Sequence, residues 1–420
     1  MPGSAGIPAG QFPRKPSRPR GRDRSTTIEL PNILALSSPS SPPEERAGER
    51  RPFNAAPFNS SAGLRSRPCQ SGTLLILASA LLISLSCRAA ETFSTSGTSA
   101  YARVVIVHDP AATEAFRPRL EKIRAMVNRA ITNLTGKATV PAAWGSVVST
   151  QDVVGIKIVS APGANSGTRP AVVMAVVEGL LAAGLPPRHI VIWDKQLSDL
   201  KEAGFSDLAK KYGIRLAGSA QAGWDEGHDE KSKPYDTPLL GNLVAGDLEF
   251  LKKGDGVGRK SFLSKLVTGD ITKIINITPL LNHNEAGVCG NLYSLAMGSV
   301  DNSARFESDP NRLATAVPDI CNLPALADRI ALNIVDALIC QYEGGERGLL
   351  HYSAVLNQLR FSRDPVALDV LSLQDLERQR KAADAPSVKS NLELYNNAAL
   401  LDLGISDLKK IRVENLPEGK

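Results

Sequence analysis

The sequence predicts an α/β protein with a mostly parallel sheet and helices on both faces, a Rossmann-like arrangement. Three observations carry that prediction. Short runs rich in Val, Ile and Leu recur without apolar–polar alternation: RVVIVH, DVVGIKIV, HIVIW, KIINI and IALNIV. A strand that is apolar on both sides is buried on both sides, as in a parallel sheet between two helical layers. Helical segments of about 10–17 residues separate the runs, which is the rhythm of βαβ units. Finally, the runs end in polar residues, and open α/β proteins build their sites where strands end.

Before the first strand come two segments of different character. Residues 1–70 mix Pro, Ser, Gly and Arg with little apolar periodicity. Such a composition buries too little surface to offset its ordering entropy, so a disordered tail is expected. The tail holds 11 basic and 5 acidic residues of the chain, leaving 38 of each sign in the remainder. The net charge of +6 is therefore a property of the tail. A neutral body offers no basic stripe for nucleic acid, which is not expected as a partner. Leu74 to Leu85 is an unbroken apolar run after Arg65 and Arg67, followed by small residues at Cys87 and Ala89. Residues 71–90 thus read as a secretory signal cleaved after Ala89. The alternative is an uncleaved anchor, since the uncharged span from Pro68 to Cys87 is 20 residues, the length of a membrane helix. The expected location is exported (periplasmic, cell-surface or secreted), with membrane anchoring through residues 71–87 as the second reading. A signal starts close to its apolar run, so the true start is expected downstream of Met1.

From Tyr101 the pattern becomes that of a folded domain, residues 101–385. Arg103–His108 reads as a strand. Pro118–Leu134 reads as an amphipathic helix with Leu120, Ile123, Met126, Val127, Ala130 and Ile131 on one face. Gln151–Ser160 is the next strand, then a Gly- and Pro-containing loop. Pro170 then opens a helix closed by Gly184. Residues 188–194 form a strand, short helices follow near 198–203 and 206–212, and Ile214–Ala217 is a further strand. Residues 218–262, rich in Gly, Asp, Lys and Pro, read as an insertion with a strand at Leu248–Leu251. The core resumes with a strand at Lys273–Ile277 that stops at Pro279. A polar turn, Asn282-His283-Asn284-Glu285, and a small-residue helix after Gly287 complete this stretch. A helix at 323–329, a strand at 330–338, a flexible segment at 342–348, a strand at 358–362 and a helix from Pro365 follow. Residues 386–420 read as a helical extension with a short terminal strand. Aromatics are only 5% of the chain, so the core is mostly aliphatic.

The cysteines, at 69, 87, 289, 321 and 340, form no CxxC pair, so spacing encodes neither an iron–sulfur cluster nor a zinc knuckle. Cys321–Cys340 is conceivable as a disulfide, but buried free thiols are the plainer expectation.

Candidate site residues follow from the strand ends. Asp194 ends one strand, Asn276 and His283 lie on or after another, and Asn333 and Asp336 lie on a third. Lys157 lies inside a strand, where a lone cation is costly unless paired or used. The plainer role for each Asp is to cap the next helix. Thr168-Arg169-Pro170, after Ser166-Gly167, resembles an anion seat: a helix start offers free N–H groups and Arg169 can clamp a carboxylate or phosphate. His283 in a polar turn suits proton transfer, with Asp336 or Asp194 to orient it. With Glu285 it presents donor types that suit a divalent metal such as zinc or nickel, though no spacing is diagnostic. The expected catalytic set is His283, Asp336, Asp194 and Lys157; the substrate-binding set is Arg169, Thr168, Asn276 and Asn333. For His283, Asp336 and Arg169 to share one small-ligand pocket, their side chains must lie within about 12 Å of one another. Gly254–Gly258 includes GxGxG in a polar region and reads as a turn.

GIKIVSAPG, TRPAVVMAVVEGLLAAG, IVIWD, INITPLLNHNEAGVCGNLYSLAMGSVDNSARF, LPALADRIALNIVDAL and FSRDPVALDVL occur in that order. Together they resemble the DUF362 family over roughly residues 103–381. Val159 stands where the family usually has Asn, and Leu280 and Leu281 stand where a Lys often precedes the His. The Lys-Asn common in the following helix is also missing. Some relatives carry iron–sulfur modules, for which this chain lacks the cysteines. A more distant likeness joins Thr168-Arg169-Pro170 to nickel-pincer lactate racemases as a fold-level analogy. The function expected is acid–base or metal-assisted chemistry on a small carboxylate or phosphate substrate. The alternative is a non-catalytic extracytoplasmic ligand-binding or accessory protein.

Overall fold

The computed structural model describes residues 101–252, 256–345, 347–386 and 390–416. The expected tail and signal, residues 1–70 and 71–90, lie outside the described residues.

Among the described residues, one sheet of nine strands organises the fold. In chain order its main strands are β1 (Ala102–His108), β2 (Val154–Ile158), β3 (Ile190–Asp194), β4 (Arg215–Gly218) and β5 (Lys273–His283). They continue with the short β6 (Gly287–Val288), then β7 (Ile330–Gln341), β8 (Ser353–Ser362) and β9 (Ile411–Leu416). Their order across the sheet is β9-β1-β8-β7-β5-β2-β3-β4, with β6 folded back on β5. All neighbours along this path are parallel except those of β8, which runs antiparallel to β1 and β7. The chain winds outward from β2 to β3 and β4, then returns to β5 on the other side of β2. The carboxyl ends of β2 and β5 therefore flank the point where winding reverses, the usual ligand crevice of an open α/β sheet.

Helices cover both faces. On one lie α1 (Leu120–Thr135), α2 (Val140–Gly145), α3 (Pro170–Ala182), α4 (Leu197–Glu202) and α5 (Phe205–Tyr212). On the other lie α6 (Asn291–Ser299), α7 (Pro310–Cys321), α8 (Pro365–Ala382) and α9 (Leu392–Leu400). The sheet separates two cores. Ile156, Ile275 and Ile277 meet Ile123, Val127 and Val176 in the first, while Ile274 and Leu280 meet Leu292, Val317 and Leu376 in the second. Of the α1 face the periodicity predicts, Ile123, Met126, Val127, Ala130 and Ile131 are buried, and Leu120 at its start is half-buried. That helix stops at Gly136, whose left-handed φ of 67° suits a residue without Cβ.

Several boundaries differ from expectation, each for a physical reason. β5 does not stop at Pro279 but runs on to His283. Pairing with β2 ends at Ile277, and the β7 register jumps between Asp336 and Cys340, where Pro279 sits. A proline is tolerated at such an irregularity because no regular ladder bond is lost there. Leu248–Leu251 is a run of turns rather than a strand. The insertion instead pairs Gly241–Asn242 with Val257–Gly258. Of the GxGxG stretch, residues 254 and 255 lie outside the described residues, and its last two join this hairpin. A helix absent from the expected elements, α7, forms despite Pro318 in its interior, burying Leu313, Val317 and Ile320 on one face. Asp309 caps it by accepting from the Asn311 and Arg312 N–H groups, and Pro310 opens it. The C-terminal segment belongs to the sheet: β9 pairs in parallel with β1, and α9 lies against α7. Cys321 and Cys340 are buried free thiols, without the disulfide that spacing left open, and Cys289 is buried too.

Candidate functional site

The polar residues on the strands fall into two groups on opposite faces of the sheet. Asp336 shares its strand face with Leu332 and Ile334, toward the first core. There it meets Arg169, the residue just before α3: the guanidinium Nη1 lies 3.0 Å from Asp336 Oδ1 and the Arg169 backbone N–H donates to Oδ2 at 3.1 Å. Arg169 Nη2 also donates to the Asn165 carbonyl at 3.1 Å. Both side chains are buried. Thr168 accepts from the Val159 N–H at 3.0 Å and donates to the Ile277 carbonyl at 2.7 Å, tying the β2–α3 loop to β5. The segment expected to seat a ligand anion is thus occupied by an internal carboxylate. Arg169 pins the start of α3 to the middle of β7.

Lys157 faces the other way, toward α6, and its ammonium is tightly held. It donates to Asp194 Oδ1 at 2.8 Å, to Ser294 Oγ at 2.9 Å and to the Ile158 carbonyl at 2.6 Å. Asp194, at the end of β3, also accepts from the Lys195 N–H at 2.8 Å. The Ser160 N–H and hydroxyl reach its second oxygen at 2.8 and 2.7 Å. α6 can approach β2 this closely because of Gly298, where a Cβ would lie 2.0 Å from Lys157 Cε. Lys157, Asn276 and Asn333 stand in register across β2, β5 and β7. The two amides bind backbone: Asn276 Nδ2 donates to the Asn291 carbonyl at 2.7 Å, and Asn333 Nδ2 to the Arg363 carbonyl at 3.3 Å. They join sheet to helix rather than line a cavity.

Above this row, at the carboxyl ends of β2 and β3, lies a cavity of about 140 Å³ lined by Lys157, Asp194, Lys195, Tyr293, Ser294 and Glu307, among others. Drug-sized pockets span about 300–1,000 Å³, so this one suits a ligand of a few heavy atoms. Lys195, next to Asp194, donates from Nζ to Ser303 Oγ at 2.6 Å. The Ser303 hydroxyl donates onward to Glu307 Oε2 at 3.1 Å, and Tyr293 Oη lies 3.5 Å from Glu307 Oε1. Burial lowers the Lys195 pKa below the usual lysine value, against the raising effect of Glu307, Asp247, Asp301 and Asp194.

The insertion sets the position of Ser303 and Glu307. Arg305 between them is buried and donates to the carbonyls of Tyr235, Thr237, Leu239 and Arg259 and to Ser261 Oγ. Asp301 adds a second tie by accepting from the Leu248 N–H at 2.7 Å and the Phe262 N–H at 2.6 Å. Its burial raises its pKa to about 6.

His283 borders this site without joining the Arg169 pair. Its ring lies 4.2 Å from that of Tyr293, centroid to centroid. Nδ1 accepts the N–H groups of Glu285 and Ala286 at 3.2 and 3.0 Å, so a neutral ring carries its proton on Nε2. Burial lowers the His283 pKa to about 4, with Glu307 opposing, and the ring is neutral at pH 7. Asp336 is in register with Pro279, four residues before His283. At about 3.3 Å per residue that is about 13 Å along the strand. His283, Asp336 and Arg169 therefore do not form one small-ligand site. Glu285 lines a different groove, about 1140 Å³, with Asn284, Gln374 and Arg378. No group of three or more His, Cys, Asp or Glu among the described residues is placed to hold a metal ion.

Of the expected residues, Lys157 and Asp194 line the cavity, while Arg169, Thr168, Asp336, Asn276 and Asn333 serve the scaffold. Lys195, Tyr293, Ser294, Ser303 and Glu307 were not foreseen. Lys195 is signalled by its adjacency to a strand-ending Asp, and Tyr293, Ser294 and Ser303 lie in the INIT–NSARF segment singled out above.

No family model matches the chain, and no curated protein is significantly similar to it. Among solved structures, a crystal structure of a Thermotoga maritima protein, a structural-genomics target, aligns at 12% identity over 65% of this chain and 61% of that one. The TM-score is 0.35, a likeness that carries no argument about function. The chain spans about three fifths of that protein's length.

Proposed function

We propose that this chain is an enzyme that moves a proton on a small anionic substrate held in the cavity between β2, β3 and α6. The observation that carries this reading is the chain of contacts that joins two residues of the cavity wall, Lys195 and Glu307, through Ser303 behind it. A half-buried amine whose pKa is lowered by desolvation, linked by a hydroxyl to a carboxylate, is an acid–base relay. Lys195 Nζ supplies a hydrogen-bond donor for a carboxylate or phosphate. The paired Lys157 and Asp194 fix the cavity floor, and Tyr293 carries His283 at its back. The DUF362 resemblance and export through residues 71–90 belong to the same proposal; sequencing the N-terminus of the native protein tests export.

The rival reading, a non-catalytic ligand binder, has one observation in its favour: Lys157 and Arg169 are both already neutralised by internal carboxylates. Thermal-shift and NMR titration with acetate, propionate and inorganic phosphate tests the shared premise. A ligand at a hundred times its Kd adds about 2.7 kcal/mol of stability. Such a shift is expected for the native chain and is expected to vanish in Lys195→Met. If none of these anions shifts the melt or the Tyr293 and His283 resonances, the site reading is wrong.

A further inference from the structure

We propose that Lys195 is a nucleophile that condenses with the carbonyl carbon of a small aldehyde or oxo acid to form an imine. This deepens the reading above and rests on the same cavity.

The two lysines of the site are built differently. Lys157 Nζ donates to three acceptors, Asp194, Ser294 and the Ile158 carbonyl, which uses every ammonium proton. Such an amine has no lone pair to offer. Lys195 Nζ has one hydrogen-bond partner among the described residues, Ser303 Oγ at 2.6 Å, and it lines the cavity. The same hydroxyl leads on to Glu307. The Lys195 ammonium can therefore give a proton to Ser303 as Ser303 gives its own to Glu307. That single transfer yields a neutral amine and a protonated acid facing the same space. Burial of Lys195 favours its neutral form, as it does for the desolvated lysines of Schiff-base enzymes. The small cavity admits a carbonyl compound of only a few carbon atoms.

The step balances without a redox partner. The Nζ lone pair attacks the carbonyl carbon, forming a C–N bond as the C=O π pair moves to oxygen. Nitrogen loses a proton and oxygen gains one, leaving a neutral carbinolamine. Glu307 then protonates the departing hydroxyl, the C–O bond breaks, and the nitrogen pair forms C=N. The products are a protonated imine on Lys195 and one water.

The test is reductive trapping on the full chain. The protein is incubated with pyruvate or, separately, with glycolaldehyde, reduced with borohydride, digested and mapped by mass spectrometry. The expected adduct, the carbonyl compound less one oxygen, sits on Lys195 ahead of every other lysine, and Lys195→Arg loses it. The peptide map of the native chain decides the matter even if that variant misfolds. Label spread over exposed lysines with no preference for Lys195, or no label, overturns the proposal. The arms also separate it from its premise. Labelling of Lys195 by glycolaldehyde but not pyruvate keeps the imine and removes the anionic substrate. Binding of propionate without labelling by either compound keeps the anion site and removes the imine.

Discussion

At the residue scale, the lesson is that a buried charge is defined by its partner. Arg169 in a Thr-Arg-Pro helix start has the chemistry of an anion clamp, and it is used as one, but on Asp336. Removing one partner of a buried ion pair strands the other, which costs about 3–5 kcal/mol. Arg169→Met is expected to destabilise the fold by about that much in urea unfolding. Its folded fraction is expected to keep the native labelling of Lys195, because the pair lies on the opposite sheet face. A variant of native stability that fails to bind small anions would restore Arg169 as a ligand residue. His283 shows the same dependence on surroundings. Its turn hydrogen bonds and burial make it a neutral ring at pH 7, a property no spacing in the sequence conveys.

At the element scale, the insertion between β4 and β5 is what converts a strand-end lysine into a relay. Arg305 gathers four backbone carbonyls from the insertion and so places Ser303 and Glu307 over Lys195. Each buried acceptor left dry costs about 1–3 kcal/mol. Arg305→Leu is therefore expected to loosen the insertion while the sheet holds. Hydrogen exchange should rise around residues 235–262, and ligand shifts at the cavity should be lost. Unchanged exchange there would mean that Arg305 does not organise the insertion. Periodicity reveals most of the helices and strands because one apolar face per turn or a continuous apolar run is a local property. In α7 the same stripe, Leu313, Val317 and Ile320, is masked by Pro318, and the Asp309 cap and packing against α9 hold the helix. Periodicity also ends β5 too early, since the lack of a β2 partner at Pro279 is a fact about the neighbouring strand.

At the scale of the whole molecule, buried acids and a buried imidazole pull stability in opposite directions with pH. Asp369, on α8, reaches the start of α6 and accepts from the Asn291 and Leu292 N–H groups at 2.7 and 3.0 Å, and its burial raises its pKa from 3.8 to about 6. The folded state therefore holds a proton that the unfolded state releases. The stability this supplies is complete below pH 3.8 and is lost as pH rises through about 6. His283 is lowered from 6.5 to about 4, so its contribution is complete above pH 6.5 and is lost as pH falls through about 4. Each shift corresponds to about 3 kcal/mol. Relative to Asp369→Asn, the native chain should thus lose stability between pH 4 and 6.5; relative to His283→Gln it should gain it. Chemical denaturation at several pH values checks both signs, and parallel curves for native and variant would refute the assignment.

The sequence by itself determined the fold class, most of the strands and the edge of the sheet at which to look. Short, uninterrupted, β-branched apolar runs alternating with helices fit a sheet covered on both faces, and Asp194 and Lys157 are conspicuous within them. Tertiary structure alone decided which polar residues meet. Asp336 and Lys157 lie on adjacent regions of one sheet, yet residue parity sends one to α3 and the other to α6. Ser303 and Glu307 reach Lys195 from more than a hundred residues away because a buried arginine holds the insertion in place. Pairing across such distances depends on register and packing, which no local stretch of sequence specifies.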